Sequence, residues 1–551
     1  MNLTPEERKI GQENFHAAIG SEFTRRDFLT QGLAAGVVSG VGLGSFYYGY
    51  GRSLGDPVRV GVIGTGDEGS VLIGAHTPEY AQIVAIADIR PYNVWRAFNG
   101  DPAVPAVRPG LMKKYKWSTE DEAKKQIAVY TDYKELLARP EIEGVIIALP
   151  LHLHAQVAIE ALQAGKHVLT EKLMGHSVGQ CKQMGRVAAE TGKLLATGHQ
   201  RHYSILYDNA KDLIQRGLLG QIHHVRAQWH RGNLPGKDSW APALPDELKK
   251  ELDKLLAKLS TAKGKELDAL MAQKALLEVQ VLDASVNAES YGYQTKSLEG
   301  GYVCSPIEEL IRWRLWNRTG GGLMAELGSH QLDAASIFVS ATRKDGQKVK
   351  PLRVAAMGGR HIFPADRDCD DHVYCMYEFP APEHESDPNK KIVVTYSSIN
   401  GNGFGGYGEV VMGTDGTLIL EREQEVMLYK GSSTLTNVTV KKAASSGGPT
   451  LNTTDSGGGP AAALGKKAID AGPISRGYTE EIEHWAWCIR NPAPENLPKC
   501  HPPVALADAV IALVSNVAIA EKKPIDFDPR WFNIDDDATP EGVSPADSVK
   551  V

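Results

Sequence analysis

The pattern of hydrophobic and polar positions changes after residue 200. Before that point, short continuous apolar runs alternate with stretches in which apolar residues recur at helical spacing. Continuous apolar runs are typical of strands buried on both faces, and strands that alternate with helices predict a doubly wound parallel sheet. We therefore expect a doubly wound α/β domain over residues 57–200. Its predicted strands are VRVGVIG, AQIVAIAD, IAVYTD, GVIIALP, HVLTEK and KLLATG.

Strand-like runs then follow one another with few helices between them, which predicts an α+β domain with a mainly antiparallel open sheet over residues 201–530. Residues 246–283 carry Leu, Lys and Glu at helical spacing and predict a helical insertion, either a surface hairpin or a short coiled coil. Residues 443–473 are rich in Gly, Ser, Ala and Pro and predict a flexible loop. Residues 535–551 read as an acidic, disordered tail.

The first 55 residues have a different composition from the domains. The segment Thr24-Arg25-Arg26-Asp27-Phe28-Leu29 precedes a Gly-rich apolar run without charge up to Arg52. This arrangement resembles a twin-arginine export signal. A buried helix is the alternative, although each glycine would cost it about 1 kcal/mol relative to alanine. We expect residues 1–55 to direct export to the periplasm, either as a cleaved signal or as a membrane anchor.

Length, charge and cysteine spacing narrow the class of protein. A chain of 551 residues exceeds what one hydrophobic core usually fills and predicts two large domains. The net charge of -7 makes nucleic acid an unfavourable main partner. The 6 cysteines form no CxxC pair, which disfavours a zinc ribbon. A small-molecule substrate is the expected partner.

A glycine-rich turn follows the first predicted strand. Gly64, Gly66 and Gly69 form G-x-G-x-x-G at the start of a predicted helix, where pyrophosphate can approach the backbone. Asp88 ends the next strand, where a carboxylate accepts hydrogen bonds from ribose hydroxyls and repels a 2′-phosphate. The pair of features predicts NAD rather than NADP, with Arg90 as a residue that could soften the preference.

The segment ALPLHLHAQVAIEALQAGKHVLTEKLMGHS resembles the signature of the Gfo/Idh/MocA oxidoreductase family, with Leu173 where that family has proline. The resemblance implies a Rossmann domain followed by an α/β domain with an open sheet. It places Lys172 beside the nicotinamide and the substrate, where burial and neighbouring groups can lower the pKa of the amine. It also implies that Pro150, His154 and Glu171 lie on the cofactor side.

A second segment, GGGLMAELGSHQLD, resembles the family's second-domain signature. Glu326, His330 and Asp333 stand four and three positions apart, so on an α-helix they would share one face towards the substrate. By this resemblance His330 is the candidate general base, with Lys172 polarising the hydroxyl. Glu326 replaces the family's usual aspartate and is expected to orient the substrate or the imidazole. Asp333 either contacts substrate or braces the helix.

Two weaker signals remain. Arg201 lies at the predicted domain junction, where the family often has an arginine that contacts cofactor or substrate; a structural role is the equal alternative. A group of acidic and histidine side chains lacks established metal-ligand spacing and reads as a solvated turn, so we predict no metal. Its members are His361, Asp366, Asp368, Asp370, Asp371 and His372.

Together these features predict an NAD-dependent oxidoreductase that acts on a secondary hydroxyl of a sugar, glycoside or polyol. One alternative is a glycosidase or lyase that oxidises its substrate transiently, eliminates the leaving group and returns the hydride. A non-catalytic dinucleotide-binding protein is the other. A homo-oligomer is also expected from the resemblance.

Overall fold

The computed structural model describes residues 3–21, 55–442, 448–454, 460–469 and 476–549. The twin-arginine motif and the apolar run after it lie outside these residues. Within them, the fold contains two large sheets. The first six strands of the chain form one, and later strands form the other.

The N-terminal sheet has six parallel strands in the order β3-β2-β1-β4-β5-β6, and each coincides with a predicted strand. The strands are β1 (Val58–Ile63), β2 (Ala81–Ala87), β3 (Ala128–Tyr130), β4 (Gly144–Ile147), β5 (His167–Glu171) and β6 (Leu195–Gly198). Helix α1 (Pro5–Gly20) precedes this domain in the chain. The helices that accompany the sheet are α2 (Asp67–Ala75), α3 (Pro91–Asn99), α4 (Gly110–Tyr115), α5 (Glu120–Gln126), α6 (Tyr133–Leu137), α7 (His154–Gln163) and α8 (Val178–Thr191). The doubly wound domain is confirmed.

The C-terminal sheet has eight strands in the order β15-β14-β13-β7-β12-β11-β10-β18. All its pairings are antiparallel except that of β7 with β12. The strands are β7 (Ile222–His230), β10 (Arg353–Gly359), β11 (His372–Pro380), β12 (Lys391–Ile399), β13 (Tyr407–Gly413), β14 (Gly416–Glu421), β15 (Glu425–Lys430) and β18 (Ile525–Asp526). Two small ribbons join β8 (Lys296–Ser297) to β9 (Val303–Cys304) and β16 (Asn437–Lys442) to β17 (Pro449–Thr454). The mainly antiparallel second domain is confirmed.

Helices of the second part of the chain pack on both sheets. α17 is the one helix in the described ranges that is long and apolar enough to cross a membrane, yet 67% of its apolar window is buried in the protein. α16 returns to the N-terminal sheet, where Trp485 is fully buried and fills the space beside Gly144. These helices are α9 (Ile205–Gln215), α10 (Pro245–Leu259), α11 (Lys265–Val281), α12 (Pro306–Ile311), α13 (Asn317–Gly320), α14 (Ser329–Ser340), α15 (Pro460–Ile469), α16 (Tyr478–Arg490) and α17 (Pro502–Glu521).

The region before the twin-arginine motif is a folded helix, α1 (Pro5–Gly20), which begins at a Thr4 capping box. It packs on β15 and α15, and its Phe15 is only 1% exposed. The buried Asn14 amide donates to the carbonyls of Leu428 (3.1 Å) and Thr436 (2.9 Å). Residues 3–21 therefore belong to the second domain, which the reading of residues 1–55 as a targeting segment did not anticipate.

Two segments expected to be irregular are ordered where they are described. Within 443–473, strand β17 and helix α15 replace the expected loop. The acidic C-terminal residues pack against α8, because the buried Lys182 amine donates to the carbonyls of Asp536 (2.8 Å) and Ala538 (2.6 Å). The expectation of a disordered tail was wrong because its backbone carbonyls satisfy a buried ammonium group.

The predicted helical insertion is a hairpin of α10 and α11, which pack against each other. Most of its side chains are exposed, and Leu255 and Leu277 are buried between the two helices and the protein. The hairpin leads into residues 282–293, which reach the N-terminal domain.

Candidate active site

The glycine-rich turn between β1 and α2 has the geometry of a dinucleotide-binding loop. Gly64 has φ +86°, and a Cβ there would lie 2.3 Å from the Ala148 carbonyl oxygen. A Cβ on Gly69 would lie 2.1 Å from the Gly64 carbonyl oxygen, so helix and turn pack backbone to backbone. By contrast, a Cβ on Gly66 would meet nothing closer than the Asn93 amide at 3.7 Å. The turn thus leaves open space at the N-terminus of α2, which suits a pyrophosphate.

Asp88 lies at the carboxyl end of β2, as predicted for a ribose-binding carboxylate. It accepts hydrogen bonds from the backbone N–H groups of Thr65 (2.7 Å) and Arg90 (2.8 Å). Partial burial raises the pKa of Asp88, and these donors oppose the rise. The carboxylate is held in place from both sides of the loop and remains half-buried.

Acidic residues, Asp67 and Glu68, occupy the last two of the three variable positions of the motif, where the sequence pattern predicts no role for them. The Asp67 carboxylate lies 2.7 Å from Arg96 and 3.8 Å from Arg314 of the second domain. Burial would raise the pKa of Asp67, but Arg314, Arg96 and Arg108 outweigh it and lower it to about 2. The Asp67 carboxylate beside the loop is therefore ionised, and these guanidinium groups compensate its charge. Arg314 has no local sequence signal, since only the tertiary fold brings it here.

Glu171 is the last residue of β5, and Lys172 follows it directly. The Lys172 amine donates to the backbone carbonyl of Glu326 (2.9 Å), so it joins the two domains. The peptide bond between Lys172 and Leu173 is cis. Burial and the nearby Glu68 raise the pKa of Glu171 to about 8, so this carboxyl holds a proton at neutral pH.

Glu326 lies in a π-helical turn, Met324–Gly328, that runs directly into α14. Its carboxylate accepts from the Arg314 guanidinium at 3.0 Å. Burial would raise the pKa of Glu326, but Lys172 and Arg314 more than offset this and lower it. Glu326 is therefore ionised and held between the two cations.

His330 follows one turn later and lies near Lys172. Its ring is 5.6 Å from the Trp229 ring, and its Nδ1 has no hydrogen-bond partner among the described residues. Burial, then the charges of Lys172 and Arg201, hold the pKa of His330 well below its usual value. The imidazole is neutral at pH 7 and can accept a proton.

The expectation that three polar residues share one helical face was wrong, because the π-turn before α14 changes the spacing. Glu326 and His330 lie beside Lys172, whereas Asp333 is buried. The Asp333 carboxylate pairs with His202 (2.7 Å) and Lys348 (3.1 Å). Of its two expected roles, these contacts fit the brace and not the contact with substrate.

Arg201 does not reach the cofactor loop, contrary to its predicted binding role. It is 1% exposed and pairs with Glu423 at 2.6 Å and Glu409 at 3.6 Å. It also donates to the backbone carbonyl of His330. A buried guanidinium with two carboxylate partners is committed to the interior, so Arg201 supports the helix that carries His330.

Pro150 and His154 follow β4 at the same edge of the sheet. Pro150 is half-buried and precedes a short 3₁₀ turn. His154 is buried, with its ring nitrogens 2.8 Å from the carbonyl oxygens of Leu173 and Leu149. His154 thus lies at the expected edge, but protein carbonyls occupy both of its ring nitrogens, so neither is left for the cofactor. The ring joins the loops after β4 and β5 and so positions Lys172 indirectly.

The histidine and aspartate group at 361–372 forms a closed turn. Asp371 accepts from the backbone N–H groups of His361 (2.8 Å), Ile362 (3.0 Å) and Phe363 (2.9 Å), and lies 2.6 Å from the His372 ring. Donor atoms of His361, Asp371 and His372 lie within 4.8 Å of one another. Because the Asp371 oxygens already accept these bonds, the contacts agree with the turn interpretation.

Residues 58–199 match the Gfo/Idh/MocA family model, described as an oxidoreductase family with an NAD-binding Rossmann fold. This part of the chain is similar to the NAD-binding domain of that family. The match covers the glycine-rich turn, Asp88 and Lys172 together, and it confirms the predicted NAD-binding domain.

Curated relatives match mainly in the same region. An uncharacterized oxidoreductase of Schizosaccharomyces pombe is 35% identical over 126 residues, which are 22% of this chain and 34% of the relative. A glycosyl hydrolase family 109 protein of Shewanella pealeana is 29% identical over 180 residues, 32% of this chain and 35% of the relative. The inositol 2-dehydrogenase of Salmonella paratyphi B is 26% identical over 199 residues, 36% of this chain and 53% of the relative. The chain thus spans about a third to a half of these relatives.

Among solved structures, levoglucosan dehydrogenase in complex with NADH superposes with a TM-score of 0.51 at 17% sequence identity. The likeness covers 85% of this chain and 99% of that one. It extends the match in fold to the second domain.

Proposed function

We propose that the chain is an NAD-dependent oxidoreductase that acts on a secondary hydroxyl of a sugar, glycoside or polyol. The observation that carries the proposal is the meeting of Lys172 and a neutral His330 beside the dinucleotide loop. The inositol and levoglucosan dehydrogenase names of similar proteins support the substrate class.

His330, Lys172 and Glu326 each have a separate role in the proposed oxidation of the alcohol. A bound nicotinamide supplies the hydride acceptor, held by the glycine-rich turn and Asp88. The imidazole of His330 takes the hydroxyl proton, because its Nδ1 is unpartnered among the described residues and its lowered pKa leaves the ring without a second proton beforehand. The Lys172 ammonium stabilises the negative charge that develops on the substrate oxygen. Glu326 holds Lys172 and Arg314 in position.

The test is NADH formation by the purified chain with a panel of sugars, glycosides and polyols. We expect turnover with at least one of them, and a loss of about 100-fold or more in both Lys172→Ala and His330→Ala, as for removal of an acid or base. Lys134→Ala is the matched control, since that side chain is 59% exposed and away from the site. Turnover that survives both site substitutions would refute the assignment.

A glycosidase that recycles its NAD is the second candidate, favoured by the match to a glycosyl hydrolase family 109 protein. The same residues would serve it, because transient oxidation needs the same proton transfer and the hydride then returns. Cleavage of an aryl glycoside with stoichiometric bound NAD and no net NADH would select this function. Net NADH without cleavage would select the dehydrogenase.

We also propose export by the twin-arginine route, on the motif at residues 24–29. Cell fractionation of the Arg25→Lys/Arg26→Lys variant tests this proposal. Retention of the variant in the cytoplasm is expected, and unchanged export would contradict it.

Self-association is proposed through the open face of the second sheet. Met357, Tyr374 and Met376 lie on one face of β10 and β11 and are 67%, 40% and 52% exposed. Light scattering on the purified chain should give a dimer or a larger assembly. Met376→Glu should shift it towards the monomer, and a monomeric unchanged chain would refute the proposal.

A further inference from the structure

The carboxyl end of β2, where the adenosine ribose is expected, is covered by the segment that follows the helical insertion. Ile89, next to Asp88, packs against Ala288 and Tyr293. Tyr293 is 2% exposed, and its ring also meets His152 edge-on at 5.6 Å. The insertion therefore forms a wall of the region that distinguishes one dinucleotide from another.

Asp283 makes the central contact of this wall. Its carboxylate accepts from Arg90 Nε at 2.9 Å and lies 2.8 Å from Arg90 Nη2. It also accepts the backbone N–H of Tyr92 at 3.0 Å. Helix α3 has no capping bond from its own N-cap residue, Arg90, so Asp283 caps it from a distant part of the chain.

The pairing of Arg90 bears directly on the choice of cofactor. Asp88 disfavours a 2′-phosphate, whereas an arginine near the ribose accommodates one. Arg90 stands two positions after Asp88, and its charge is felt by that carboxylate. A free Arg90 guanidinium would therefore be a phosphate partner beside the ribose. In this structure the Arg90 guanidinium instead pairs with the Asp283 carboxylate, whose side chain is only 3% exposed. The guanidinium is therefore not available to a 2′-phosphate.

We propose that Asp283 is a specificity-determining residue that makes the chain select NAD over NADP by holding the Arg90 guanidinium. The inference rests on the proposed function, because it concerns the same dinucleotide site. The insertion at 246–283 thereby contributes to the choice of cofactor, although most of its side chains are exposed to solvent.

The experiment measures dissociation constants of NAD and NADP by calorimetry on the full chain. Asp283→Asn removes the charge, and Asp283→Ser removes it while keeping an oxygen that can cap α3. In either variant we expect the affinity for NADP relative to NAD to rise about tenfold, as for one new charge-assisted hydrogen bond. Asp268→Asn is the matched control, because this exposed residue of α11 carries the same charge.

A double-mutant cycle with Arg90→Ala isolates the contact. The gain for NADP should vanish when Asp283→Asn is combined with Arg90→Ala. An unchanged ratio in folded Asp283 variants, or a gain that persists without Arg90, overturns the inference while the proposed function stands. If the unchanged chain binds no NAD, the proposed function fails and the inference fails with it.

Discussion

Replacement of Arg201 by methionine separates the structural role found here from the cofactor role that the sequence predicted. The substitution keeps an unbranched apolar chain and removes the charge. It leaves Glu423 and Glu409 buried without their shared partner, and it frees the His330 carbonyl. Loss of one partner of a buried ion pair typically costs about 3–5 kcal/mol. We therefore expect the free energy of unfolding to fall by about that amount.

The loss of unfolding free energy caused by Arg201→Met should depend on pH. Burial raises the pKa of Glu409 to about 7 even with Arg201 present, and loss of Arg201 raises it further. The folded state then keeps a proton that the unfolded state releases above about pH 4.5. Stability therefore falls from about pH 4.5 upwards, and in the variant it goes on falling above about pH 7, where the loss ends in the unchanged chain. Glu423 stays ionised because Arg476 still contacts it at 2.7 Å. The penalty of Arg201→Met should be larger at pH 8 than at pH 6.

Urea unfolding followed by tryptophan fluorescence measures the stability, and calorimetry on the folded protein measures the affinity for NAD. Arg476→Met is the matched control, since it removes the other cation on Glu423 at a 42% exposed position and should cost about 1 kcal/mol or less. We expect the NAD affinity of Arg201→Met to stay within about twofold of the original. Unchanged stability with a large loss of NAD affinity would refute the reasoning and restore Arg201 as a cofactor ligand.

Three further predictions concern the amine, the proton and the first helix. Lys172→Met should keep bound dinucleotide but lose about 100-fold or more in turnover, measured with whichever substrate gives NADH; full turnover would contradict the site. The unchanged chain should lose stability between about pH 4.5 and about pH 8, because folded Glu171 keeps a proton that the unfolded chain releases. In Glu171→Gln, the urea midpoint of unfolding should change less with pH over this range. An unaltered dependence of the midpoint on pH would contradict the assignment of the proton to Glu171. Asn14→Ala should weaken the docking of α1 by about 3 kcal/mol, because three hydrogen bonds are lost. The weaker docking should appear as faster hydrogen exchange over residues 5–20. Lys9→Ala is the control, because that side chain is 77% exposed. Unchanged exchange in Asn14→Ala would refute the prediction.

The parts of the fold that the sequence predicted are those with local causes. Each strand of the first sheet is a continuous apolar run with its own boundaries, so its position needs no knowledge of the rest of the chain. Gly64 and Asp88 were found for the same reason, since each stands at a fixed place relative to the end of a strand, whereas Lys172 was found through the family resemblance.

The remaining contacts depend on residues far apart in sequence. Arg314 reaches Asp67, and Asp283 reaches Arg90, only because the two domains and the insertion fold together. The π-turn at Met324–Gly328 has no periodic pattern that distinguishes it from an α-helix, so the shared face was misjudged. Nor does any local pattern place the Asn14 side chain on the carbonyls of β15 and the residues that follow it.

We propose that this chain binds NAD and passes hydride between it and a hydroxylated substrate. The most direct test is to denature the purified chain, identify any released dinucleotide by mass spectrometry, and assay sugars and glycosides for NADH in parallel. The account predicts that NAD is bound and that NADH formation is abolished by Lys172→Ala. A chain that neither carries nor binds dinucleotide would contradict it.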